Sequence, residues 1–113
     1  MNAEDFKAKV KARCLEVQEY GYTIKRRGWG GISFVEPNAT FVSFHDKRVC
    51  PIMACLLNAK SPNVYMATQA AAHYFGVSEE AIRSFINGFD GSIYILDVEF
   101  YNAGYELRVE LGL

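Results

Sequence analysis

The sequence predicts an α+β fold, mostly helical: one globular domain over residues 1–113 with four to five helices and one β-hairpin. Three observations predict it. Half of the 113 residues are hydrophobic and 14% are aromatic, at a net charge of −1, which is enough to fill one core and too little chain for two. Apolar residues recur at helical spacing between cap and stop residues in several places. Two stretches rich in β-branched and aromatic residues, 32–35 and 40–44, flank Glu36-Pro37-Asn38-Ala39, a turn combination.

The first helix is predicted over residues 3–20. Asn2 can cap it, Glu4 and Asp5 suit the positive end of its dipole, and Gly21 ends it. Phe6, Val10, Cys14 and Val17 fall on one face. Lys25-Arg26-Arg27-Gly28-Trp29-Gly30-Gly31 reads as a loop, followed by the hairpin, with His45-Asp46-Lys47-Arg48 leaving it. Pro51 suits the first position of a short helix reaching about Ala59. Ser61-Pro62-Asn63 breaks the chain, and a further helix runs from about residue 63 to Phe75, where Gly76 stops it. Ser78 caps the next, with Glu79 and Glu80 in its first turn. It is expected to close near Asn87, with Gly88 as its left-handed end and Asp90-Gly91 as a turn. In the tail, Tyr105, Leu107, Val109 and Leu111 alternate as in a strand. Phe100, Ala103, Gly104, Leu107 and Leu111 also form a helical stripe that Asp97 could cap. The residue pattern alone fits helix or β-hairpin over 93–111.

Charge is polarised. Residues 1–60 carry ten Lys/Arg against six Asp/Glu, a net +4, and residues 61–113 carry two against seven, a net −5. Such a chain can fold its halves on each other or pair head-to-tail with a partner. No apolar run approaches the ~18–20 residues of a membrane span, and the N-terminal residues lack a signal-peptide pattern. The expectation is therefore a cytoplasmic protein with no membrane association, whose three cysteines, Cys14, Cys50 and Cys55, stay reduced.

Four constellations bear on chemistry. Residues 69–86 have the steric pattern of a helix-turn-helix: small Ala72 where helices approach, Gly76 at the turn, and Val77, Ile82 and Phe85 inward. The second helix opens with Glu79 and Glu80, which repel phosphate, so packing is the favoured role. Lys25, Arg26, Arg27 and Trp29, with Lys47 and Arg48 if the fold brings them near, offer charge and a stacking ring to single-stranded nucleic acid or RNA. His45, Cys50 and Cys55 lack paired metal-ligand spacing, and neither a metal nor another cofactor is predicted. Cys50 precedes Pro51 at a helix start, where a dipole favours thiolate, which makes it the reactive-thiol candidate.

Cys50-Pro51-Ile52-Met53-Ala54-Cys55-Leu56-Leu57 resembles a Cys-Pro-x-x-Ala-x-Leu-Leu motif. Gly76-Val77-Ser78 followed by Phe85-Ile86-Asn87-Gly88-Phe89-Asp90-Gly91 resembles Gly-Val-Ser … Phe-Ile-x-Gly-Phe-Asp-Gly. Residues 101–108 resemble a closing Tyr-x-x-Gly-x-x-Leu-Arg helix. Together, over residues 48–111, they resemble a family of small uncharacterised prokaryotic proteins. The resemblance implies a helical tail and carries over no catalytic residue. Met53 stands where that motif more often has glycine. The function expected is a non-enzymatic binding or regulatory module acting by protein–protein contacts, a second copy of the chain being among the candidate partners. A nucleic-acid binder using the basic Trp-containing loop is the alternative, and a thiol-dependent enzyme built on Cys50 comes third.

Overall fold

A computed structural model describes residues 1–26, 47–56 and 67–113. The hairpin expected at residues 32–35 and 40–44 lies outside the described residues, as do Arg27, Trp29 and His45. The described chain is α+β and mostly helical. Its elements are α1 (Ala3–Glu19), β1 (Thr23–Ile24), β2 (Arg48–Val49), α2 (Pro51–Leu56), α3 (Ala67–Phe75), α4 (Glu79–Asp90) and α5 (Val98–Glu110).

Local signals account for most boundaries. Asp5 N–H donates to Asn2 Oδ1 at 2.8 Å, and the α1 stripe of Phe6, Val10, Cys14 and Val17 is fully buried. Gly76 turns the chain at φ +68, and Ser78 Oγ accepts from Ala81 N–H at 3.1 Å to start α4. Asp97 caps α5 by accepting from Phe100 N–H at 3.2 Å, so the tail is a helix. Within it Leu107 is buried while Tyr105 and Val109 are exposed, which removes the strand alternation.

One boundary differs from expectation. α4 continues past Asn87 to Asp90, and Gly91, at φ +83, is its left-handed cap. Gly88 therefore lies inside the helix. Its role is steric: a Cβ there would collide with the Tyr101 carbonyl on α5, and a Cβ at Gly104 would collide with the Phe85 carbonyl on α4. Because Phe85 faces Gly104 and Gly88 faces Tyr101, the two helices run antiparallel, with their backbones in close contact at both glycines.

Phe6 sits at the centre of the core. Its ring lies 4.8 Å from Phe75, 4.9 Å from Phe85 and 5.3 Å from Phe100, joining α1, α3, α4 and α5 in edge-on and tilted contacts. All six residues of α2 are buried, including Met53. The β structure is a parallel pair, in register Thr23↔Arg48 and Ile24↔Val49, with Ile24 and Val49 turned inward. Two-residue strands carry no periodicity, and Arg48 was expected in a polar exit segment.

Part of the charge polarity is met within the molecule. Lys7 reaches Glu106 at 3.0 Å and Glu110 at 3.1 Å, and Lys11 reaches Glu110 at 2.9 Å, binding α1 to α5.

Candidate functional site

Of the expected basic patch, the fold brings Lys25, Arg26, Lys47 and Arg48 to one place, because β1 and β2 run side by side. Thr23 N–H donates to Lys47 O at 2.7 Å and Lys25 N–H donates to Val49 O at 2.9 Å. Structural contacts already occupy several of these cations, Arg26 and Lys47 among them. Arg26 donates to the Asp90 carbonyl at 2.9 Å, at the C-terminal end of α4 where a cation offsets the dipole. Lys47 Nζ stands 4.2 Å from the Tyr22 ring centre.

Cys50, the reactive-thiol candidate, is buried in the core. Its Sγ accepts from Met53 N–H at 3.4 Å, so it caps α2 from inside the core. Burial pushes its thiol up to about 11, outweighing the N–H groups of Met53 and Ile52 that favour thiolate. Burial also raises Cys14, to about 12, and Cys55. All three thiols are unpaired. Among the described residues no group of three His, Cys, Asp or Glu side chains could hold a metal ion, and no helix is long and apolar enough to cross a membrane. A cleft of about 440 Å³ beside Lys9, Arg13 and Tyr74 has Arg13 and Glu16 already paired at 2.7 Å.

In the helix-turn-helix-like hairpin, α4 is buried along Ala81, Ile82, Phe85, Ile86 and Phe89 against the rest of the core. Its outer side presents Glu80 and Arg83, and Arg83 lies 3.6 Å from Glu79.

The most distinctive surface is one that motif reading passed over. The connection between α4 and α5 is Ser92-Ile93-Tyr94-Ile95-Leu96, and it is exposed: Ile93 is 93% accessible and Tyr94 63%. Runs of β-branched and aromatic residues are ordinarily buried strands. Here alternate residues are tied down. Asn87 Nδ2 donates to Tyr94 O at 3.0 Å, and Leu96 N–H donates to buried Ser84 Oγ at 3.2 Å. Asp97 N–H donates to the same Oγ at 2.8 Å, and Tyr101 Oη–H donates to Ser92 O at 2.6 Å. Between these anchors, among the described residues, the N–H and C=O groups of Ile93 and Ile95 have no protein partner. Tethers on one side and open groups on the alternate residues are the pattern of a sheet edge. On α5, Val98, Tyr105 and Val109, spaced seven and four residues apart, are also exposed, with Arg108 standing 4.9 Å from the Tyr105 ring centre.

No family model, no curated protein and no solved structure matches the chain.

Proposed function

We propose that the protein is a non-enzymatic interaction module that docks another protein on the exposed edge at Ile93–Ile95. The observation carrying this reading is the fixed, open, apolar edge. Hydrophobic side chains scattered over a surface are ordinary, but a contiguous run of this size marks an interaction site. Ser84, Asn87 and Tyr101 hold it in place, so little ordering is needed on docking. The buried, proton-retaining thiols give a thiol-enzyme reading no support. The resemblance to small prokaryotic proteins adds no activity to this reading.

The test is a photo-crosslinking residue placed in the living cell at Ile93, and separately at Leu15, which is also exposed but lies on α1. Protein adducts at Ile93 and not at Leu15 are expected. Equal yields at both positions refute the docking edge.

A second reading, nucleic-acid binding, is favoured by the gathering of Lys25, Arg26, Lys47 and Arg48. It requires retention on a nucleic-acid column that weakens steeply with salt. Glu79→Gln with Glu80→Gln would strengthen duplex binding only if α4 entered a groove.

A further inference from the structure

We propose that the occupant of the edge is a second copy of this chain, paired antiparallel about a two-fold axis through Tyr94. This rests on the docking reading above and adds the identity of the partner.

The register follows from the open groups. In an antiparallel ladder, residues whose N–H and C=O point outward face each other and exchange two hydrogen bonds. The outward residues are Ile93 and Ile95, because Tyr94 and Leu96 are held from the other side by Asn87 and Ser84. A symmetric pairing then sets Ile93 opposite Ile95 of the second copy, and Ile95 opposite Ile93. The result is four hydrogen bonds across the axis. Tyr94 faces itself as the non-hydrogen-bonded pair, where side chains lie closest.

The sequence of the edge is compatible with its own copy. Residues 92–96 carry no charge, so no like charges meet within the ladder. No proline interrupts the ladder.

Area points the same way. The exposed fractions of Ile93, Tyr94, Ile95, Leu96 and Val98 amount to roughly three whole large side chains, on the order of 500 Å². Two such patches together reach the total of about 1,000 Å² that a specific interface needs. A C₂ contact uses the same patch twice and closes, which leaves no edge for a third copy.

The experiment joins sedimentation of the purified protein at about 100 μM with oxidation of cysteine variants and with the crosslinking at Ile93. The wild type is expected to be a dimer, and Ile93→Lys a folded monomer whose dissociation constant rises at least tenfold. Tyr94→Cys should form an intermolecular disulfide under oxidised glutathione, since facing Cα atoms in such a pair stand about 4.5 Å apart. Ile93→Cys should not link to its counterpart, which lies diagonally at about 7–8 Å. A wild-type dimer unchanged by Ile93→Lys, or Ile93→Cys linking as fast as Tyr94→Cys, overturns the proposal. A monomeric wild type that still gives adducts at Ile93 with other proteins overturns the second copy and leaves the docking reading standing. A monomer without adducts overturns both.

Discussion

Gly104→Ala probes the contact on which the helical half of the molecule is built. The added Cβ meets the Phe85 carbonyl and lies 3.0 Å from the Phe89 nitrogen, both backbone atoms of α4. Neither yields without moving the helix. Carbon and oxygen in contact stand about 3.3–3.6 Å apart, so α5 must retreat by roughly 1 Å, and a gap of that size forfeits about a quarter to a half of each facing dispersion contact. Overpacking costs about 1–3 kcal/mol, and backbone on both sides places this case at the upper end. The better helix propensity of alanine returns about 1 kcal/mol. The expected loss is about 2 kcal/mol, or roughly 8 °C in Tm for a domain of this size. Urea titration should show a lower midpoint at an unchanged slope. An equal or higher midpoint would refute the close crossing, because only the propensity gain would then remain. Gly112→Ala serves as the contrast: its Cβ meets nothing, and its cost is confined to the strain of φ +74.

Phe85→Ala should cost about 3–5 kcal/mol in the same titration, since the ring is fully buried and in contact with Phe6. The thiols should react with an aromatic disulfide reagent at pH 8 only as fast as the protein opens. Immediate labelling of Cys50 in native protein would contradict its burial and its raised pKa of about 11. The Lys7–Glu110 contacts should make stability fall as pH drops through the carboxylate range. Lys11 and Lys7 hold Glu110 below its ordinary value when folded, so the contribution is present above the unfolded pKa and is lost as pH falls through the folded one. Lys7, raised chiefly by Glu106 and then Glu110, contributes below its unfolded pKa and loses that contribution as pH rises through the folded value. The Lys7 side chain is mostly covered, but those of Glu110 and Lys11 are about a third exposed, so Glu110→Gln should cost less than about 1 kcal/mol, and 1 M salt should shrink the effect.

What was legible in the sequence was local. The α1 stripe, the Asn2 and Ser78 caps and the Gly76 turn each lie within a few residues of their consequence. Gly88 reads as a helix end in the sequence because an interior glycine costs a helix about 1 kcal/mol, so its local context favours a terminus. Its reason lies on α5, at the Tyr101 carbonyl, where no neighbouring residue announces it. The β1–β2 pairing was equally silent, since it joins two dipeptides far apart in the chain. Periodicity alone left the tail between strand and helix, and the Asp97 cap with the buried Leu107 resolves it. At the candidate site the strand-like residues 92–96 were visible, but their exposure was not. An apolar run reads as core, and only the tethers from Ser84, Asn87 and Tyr101 show which of its groups stay open.

The antiparallel α4–α5 contact also has a consequence for the order in which the chain assembles. Its two helices are neighbours in sequence, so closing them on each other needs only a short loop. α1 meets α5 across 99 residues, as Lys7 does with Glu106, and contacts of that separation form late. During synthesis α1 leaves the ribosome well before α5 exists. Throughout that interval Phe6, Val10 and Val17 have only part of the surface that later covers them. The nascent chain therefore keeps one apolar helix face partly uncovered until α5 has emerged from the ribosome and docked.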